Sequence, residues 1–172
     1  MSTELQLVYS PDQIAASVGK LAQRITHDYA GEELVLVIVL KGALLFAADL
    51  ARQIGIPLRL EFIKLTSYKG TLSTGTVTVT KGLDGSIAGK HVLVVEDIVD
   101  TGLTLTFLLD YLNGLGVRSL KVCTLLDKSG RREVPVTPDY VGISCENRFL
   151  VGYGLDVDER YRELPAIYEY IP

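Results

Sequence analysis

A chain of 172 residues, 48% hydrophobic and 22% charged, has the size and composition of a single globular domain spanning 1–172. Its net charge of −4 argues against nucleic acid as a main partner, because a nonspecific binder of the phosphate backbone needs a basic surface. Charge interrupts the apolar stretches before membrane-spanning length, and the N-terminus lacks the basic-then-apolar pattern of a signal peptide, so the expectation is a cytoplasmic protein with no membrane partner.

In chain order, Ser10-Pro11-Asp12-Gln13 reads as a helix start, with Ser at the N-cap, Pro at the first helical position and Gln three residues after the cap. Ile14, Val18, Leu21, Ile25 and Tyr29 then recur at helical spacing up to Gly31. Leu34 to Leu40 is an unbroken apolar run of strand length, followed after Lys41-Gly42 by an amphipathic helix carrying Leu45, Phe46, Leu50 and Ile54. A further strand is expected over Leu58 to Leu65. The polar, Gly/Thr/Ser-rich segment Ser67 to Thr76 reads as a long mobile loop, and Val77 and Val79 alternate with threonines as in an edge ribbon. The second half repeats the alternation: strand Val92 to Val95, a helix from about Thr104 to Leu115, strand Leu120 to Leu126, then strand Val141 to Cys145. Strands alternating with helices predict an α/β fold, a mostly parallel sheet covered by helices on both faces with right-handed crossovers. Cys123 and Cys145 sit in apolar strand-like contexts without CxxC spacing and read as buried free thiols; His27 and His91 read as helix surface and strand start.

The most informative stretch is HVLVVEDIVDTGLT, residues 91–104. Ligands of parallel sheets sit beyond the carboxyl ends of the strands, and Glu96, Asp97 and Asp100 are expected there. Thr101, Gly102 and Thr104 add hydroxyls and close-approaching N–H groups at a helix N-terminus, a phosphate cradle. Carboxylates beside a phosphate cradle suit a ligand carrying both polyol hydroxyls and phosphate, such as a sugar phosphate.

This motif resembles the PRPP-binding signature of the type I phosphoribosyltransferases, and four further stretches narrow the resemblance to the hypoxanthine-guanine branch. These are LKG at Leu40 to Gly42, SY at Ser67 and Tyr68, LLDK at Leu125 to Lys128, and FLVGYGLD at Phe149 to Asp156 followed by RYR at Arg160 to Arg162. Together with VEDIVDTG at Val95 to Gly102 they span most of the chain in the family's order. The resemblance implies the type I phosphoribosyltransferase fold, in which the N-terminal residues and the segment after about Phe149 build a small hood on the base-binding side.

It also implies roles that the residues alone leave open. Glu96 and Asp97, otherwise ordinary acidic residues at a strand end, would hold the ribose hydroxyls of PRPP directly or through Mg²⁺. Asp100 would be the general acid/base at the purine, although an N-cap aspartate would read the same way. The turn Thr101, Gly102, Leu103, Thr104 would hold the 5′-phosphate. Lys41, in isolation an exposed lysine, and Gly42 would bind pyrophosphate, with a cis peptide at Leu40–Lys41 in at least the ligand-bound state, and Arg162 would add a guanidinium contact. Lys128 would face the oxygen on purine C6, Phe149 would stack on the ring or else be a core aromatic, and the backbone near Leu150 would read the Watson–Crick edge. Asp156, beside the base, would help hold a second Mg²⁺ on pyrophosphate. Ser67 and Tyr68 would open a loop that closes over the reaction. The chain departs from the commonest family pattern at Leu103, where a polar or basic residue is frequent, at Leu150, and at Cys145-Glu146-Asn147-Arg148, where a Pro-Asp pair is usual.

The implied activity is Mg²⁺-dependent transfer from PRPP to hypoxanthine or guanine, giving IMP or GMP and pyrophosphate, by a homodimer or homotetramer. Alternatives are a xanthine-preferring enzyme and a PRPP-sensing regulatory protein, the latter disfavoured by the acidic balance and by the presence of Asp100, Lys128 and Asp156. A signalling receiver domain, suggested by LVVED alone, fails because the acidic pair falls halfway along the chain rather than near its start.

Overall fold

In the computed structural model, which describes residues 4–68 and 76–172, the apolar runs of the sequence become the strands of a six-stranded sheet. Its members are β2 (Leu34–Leu40), β3 (Leu58–Tyr68), β4 (Thr76–Lys81), β5 (His91–Val99), β6 (Ser119–Asp127) and β7 (Tyr140–Ser144), in the spatial order β4-β3-β2-β5-β6-β7. All neighbours are parallel except β3 and β4, which pair as an antiparallel edge ribbon. Period-two alternation sends Leu34, Leu36 and Ile38 to one face and Val35, Val37 and Val39 to the other, and all six are buried. The first face is covered by α1 (Pro11–Asp28) and α2 (Leu44–Gln53), the second by α3 (Leu103–Asn113) through Leu105, Leu108 and Leu112. Both faces are dry, which is why the strands could be read as continuous apolar runs.

The capping box at α1 forms: Gln13 N donates to Ser10 Oγ at 3.3 Å and Ser10 N to Gln13 Oε1 at 2.9 Å. Ile14, Val18, Leu21, Ile25 and Tyr29 are buried as their spacing predicts. In α2 the outcome is mixed. Phe46 and Leu50 are fully buried, whereas Leu45 is 36% exposed and Ile54 caps the helix rather than lying in it.

Three expectations require correction. Strand β5 runs four residues past Val95 because β6 continues to pair with it as far as Val99↔Asp127, so Glu96 and Asp97 lie within a strand and not beyond its end. Ser67 and Tyr68 are not loop: they finish β3, paired with Val77 and Thr76, and Thr76 begins β4. The rest of the expected mobile loop, residues 69–75, lies outside the described residues. Helix α3 begins at Leu103 with Gly102 as its N-cap, which removes the N-cap reading of Asp100.

A second, three-stranded sheet joins chain segments that are far apart in sequence: β1 (Glu4–Tyr9), β9 (Ile167–Ile171) and β8 (Leu150–Val151), in that order and antiparallel. Both cysteines are free thiols; Cys123 is buried as expected, but Cys145, one residue past the end of β7, is only half-buried. No helix among the described residues is long and apolar enough to cross a membrane.

Candidate active site

Strand β2 is followed through α2 by β3 on one side, while β5 lies on its other side, so the sheet's direction of winding reverses between β2 and β5. A crevice opens at such a switch point. Here its depth is set by register: β2 and β5 stop pairing at Ile38↔Val95, whereas β5 stays paired with β6 to Val99. The next two residues of β5 are Glu96 and Asp97, held at strand precision but facing an unzipped crevice.

Burial raises the Glu96 carboxyl well above the ordinary carboxylate range, and the adjacent Asp97 charge raises it further. Asp97 is raised too, by burial, but less freely: the Ile98 N–H donates to it at 2.8 Å and the Arg162 charge favours its ionised form. For both carboxyls burial disfavours the charged form, so a cation or hydroxyl donors brought into the crevice would favour it.

From Asp100 to Thr104 the chain turns into α3. Gly102, at φ 86°, is packed so that a Cβ would overlap Val136, so both conformation and space select glycine. A cavity of about 110 Å³ lies in this turn, lined by Asp100, Thr101, Gly102 and Thr104, with Glu96 at its rim. Leu103 is 48% exposed, so its apolar side chain leaves the turn's backbone groups accessible. Arg132 fixes the turn from behind: its Nη1 donates to the Asp100 carbonyl at 2.7 Å and its Nη2 pairs with Asp127. The Asp100 carboxylate faces forward. Its Oδ1 is buried without a hydrogen-bond partner, 3.4 Å from Arg131 Nε.

A second cavity, of about 530 Å³, is lined by Asp97, Asp100 and Thr101 together with Lys128, Phe149, Leu150 and Asp156. Lys128 follows β6 directly, its N–H bonded to Val99 O at 2.9 Å. It is only 7% exposed, and its Nζ donates to the Arg148 carbonyl at 2.6 Å. Phe149 is 54% exposed and meets Tyr170 edge-on at 5.7 Å, which rules out the core-aromatic reading. Leu150 is buried in β8.

The third element is the loop after β2, where the Leu40–Lys41 peptide is cis. Gly42 lies so close to Asp97 that a Cβ would overlap the carboxylate, and Gly154, at φ 99°, lies so close to Gly42 that its Cβ would overlap the Gly42 carbonyl. Two glycines thus let the β5 carboxylate, the β2 loop and the segment after β8 touch. Arg162 closes the assembly, donating to Gly154 O at 2.7 Å and pairing with Asp156 at 3.0 Å. Arg162 is therefore not a solvated charge. Lys41 is half-exposed and pairs with Glu159 at 2.8 Å. Ser67 and Tyr68 stand at the C-terminal end of β3, within the edge ribbon. Among the described residues no three His, Cys, Asp or Glu side chains converge on one metal position.

The phosphoribosyl transferase domain family model matches residues 8–158. The chain belongs to the phosphoribosyltransferase family. It is 46% identical over 168 residues to a Mycobacterium bovis protein named hypoxanthine-guanine phosphoribosyltransferase, a match covering 94% of this chain and 83% of that protein. It is 44% identical over 163 residues to the hypoxanthine-guanine-xanthine phosphoribosyltransferase of Tritrichomonas foetus, covering 94% and 89% respectively. The crystal structure of a hypoxanthine-guanine phosphoribosyltransferase from Bacillus anthracis matches with a TM-score of 0.92 at 44% identity, covering 99% of this chain and all of the other.

Several residues of this phosphoribosyltransferase site were not singled out from sequence. Arg131, Arg132 and Asp127 flank Lys128 in LLDKSGRR, where a run of charge gives no sign of which arginine turns inward; Arg132 does, with its side chain mostly covered, whereas Arg131 is exposed. Glu159 and Arg148 act through partners far away in the chain, and only proximity in the fold reveals them.

Proposed function

We propose that this phosphoribosyltransferase moves the 5-phosphoribosyl group of PRPP to N9 of hypoxanthine or guanine, giving IMP or GMP and pyrophosphate. The observation that carries the reading is the 530 Å³ cavity, whose lining combines the Asp97 and Asp100 carboxylates with a buried ammonium and an exposed aromatic ring. The turn from Thr101 to Thr104 takes the 5′-phosphate through backbone N–H groups and hydroxyls. Glu96 and Asp97 take the ribose hydroxyls, and their charge stabilises the electron-deficient ribose more in the transition state than in the ground state. Phe149 stacks on the purine while the backbone at Leu150 meets its edge. Lys128 Nζ has three protons, one already on the Arg148 carbonyl, and offers the others to the 6-oxygen. A 6-amino group would meet another donor there, which is the physical basis for excluding adenine.

As the new N9–C1′ bond forms and the bond to pyrophosphate oxygen breaks, the purine must lose a proton. Asp100, whose Oδ1 at the cavity accepts no hydrogen bond, takes that proton from N7, so the positive charge building on the ring is removed. Lys41, the Gly42 backbone and Arg162 receive the departing pyrophosphate. The residues fit Mg²⁺: it favours one or two carboxylates completed by phosphate oxygens and water, and the buried Glu96–Asp97 pair gains most from a counter-charge. Asp156, on the base side, fits a second such ion. When bound, Mg²⁺ supplies charge neutralisation for the leaving pyrophosphate. The second sheet acts as a hood on the base side of a single domain, Ser67 and Tyr68 at the end of β3 help to exclude water, and the enzyme works in the cytoplasm as a homodimer or homotetramer.

The test is product formation from PRPP and Mg²⁺ with hypoxanthine, guanine, xanthine and adenine in parallel. Turnover with the first two, weak use of xanthine and none of adenine are expected. Efficient adenine turnover, or a clear preference for xanthine, would overturn the base assignment.

A further inference from the structure

A chain of charges links the two sheets at the base wall. Arg148 Nη1 donates to Glu169 of β9 at 3.0 Å, while its Nη2 and Nε donate to Glu146 at 3.0 and 3.3 Å. The guanidinium is thus held from the loop after β7 and from the second sheet together. The carbonyl of the same residue is the acceptor for Lys128 Nζ. The following residue is Phe149, whose carbonyl accepts from Tyr170 N at 2.8 Å, next to Glu169. Turning the Arg148 side chain out of its clamp would therefore release the peptide that seats the Lys128 ammonium and precedes the Phe149 ring.

We propose that Arg148 is a positioning residue for base selection, its Glu146–Arg148–Glu169 clamp fixing the separation between the Lys128 ammonium and the Phe149 ring. The proposal rests on the reaction inferred above and adds to it how the base slot is held at the right width. Two features favour positioning over plain stability. Arg148 is 40% exposed, where ion pairs contribute little to folding. Lys128, by contrast, is buried and needs its acceptor held in place, because a buried ammonium without a partner is costly. Arginine suits the task because its planar fork reaches two carboxylates at once, which the point charge of lysine does not.

The experiment is a double-mutant cycle in the full chain: Arg148→Ala, Glu169→Ala and the two combined, with Arg148→Lys and Glu169→Gln as conservative variants. The KM for hypoxanthine is expected to rise about fivefold in Arg148→Ala, the factor set by ion pairs of ordinary exposed strength, with the KM for PRPP unchanged. The combined variant should be no worse than Arg148→Ala alone, and the conservative variants should fall between it and wild type. An unchanged hypoxanthine KM in Arg148→Ala, a parallel rise for PRPP, or strictly additive effects would overturn the clamp. A wild type that takes another base and neither hypoxanthine nor guanine overturns the substrate reading instead, and the KM for that base in the same variants then upholds or overturns the clamp.

Discussion

The Oδ1 atom of Asp100 is buried without a hydrogen-bond partner, while the backbone of the same residue is fixed by Arg132. An acceptor held ready in this way suits proton transfer, and Asp100→Asn is expected to keep fold and PRPP affinity while lowering kcat by about 10²–10⁴-fold. Steady-state kinetics alongside thermal unfolding checks this; wild-type turnover would leave Asp100 a structural role only. Glu96 supports a second prediction. Its folded pKa lies above that of the unfolded chain, so its contribution to stability is full below the unfolded value and is lost as pH rises through the folded one. The ligand-free protein should lose stability as pH rises from the ordinary carboxylate range upward. Glu96→Gln should flatten that dependence, measured as Tm against pH for the two proteins.

At the scale of elements, the site is an interlock of strand β5 with two loops, made possible by missing side chains. Gly154 sits at φ 99° with its open side against the Gly42 carbonyl, and Gly42 in turn has its open side against Asp97. Gly154→Ala should therefore cost about 1–3 kcal/mol through overpacking and left-handed strain, and should raise the KM for PRPP because Gly42 and Asp97 shift with it. Urea unfolding and PRPP kinetics check both effects, and a variant that is destabilised but binds PRPP normally would uncouple the two loops. The elements themselves were legible to different degrees. Ser10 and Gln13 announce α1, and the run from Leu34 to Leu40 announces β2, because both signals are local. The end of β5 was not legible: Glu96 and Asp97 read as loop, and only continued pairing with β6 makes them strand.

For the whole molecule, ligand walls come from both sheets, so a bound ligand should tie them together. At a hundredfold excess over Kd, PRPP with Mg²⁺ is expected to add about 2.7 kcal/mol of stability. For a domain of this size that is a rise in Tm of roughly 5–10 °C. Chelation of Mg²⁺ should abolish most of the rise, as scanning calorimetry can show without any turnover. A shift of the same size in excess chelator would remove the metal from the PRPP site.

The sequence by itself determined the α/β class, the turn into a helix from Asp100 to Thr104, and the family, because hydrophobic period and short motifs are properties of neighbouring residues. It also marked Lys128 and Arg162, though only through resemblance, since an isolated lysine or arginine reads as surface. Tertiary structure alone decided the pairing of β1 with β9, which joins the two ends of the chain, and the burial that raises Glu96. It alone decided the clamp on Arg148, whose partner Glu169 is 21 residues away. The physical reason is the same in each case: burial, register across strands and ion pairing depend on which distant segments meet, and no window of sequence contains both sides of those contacts.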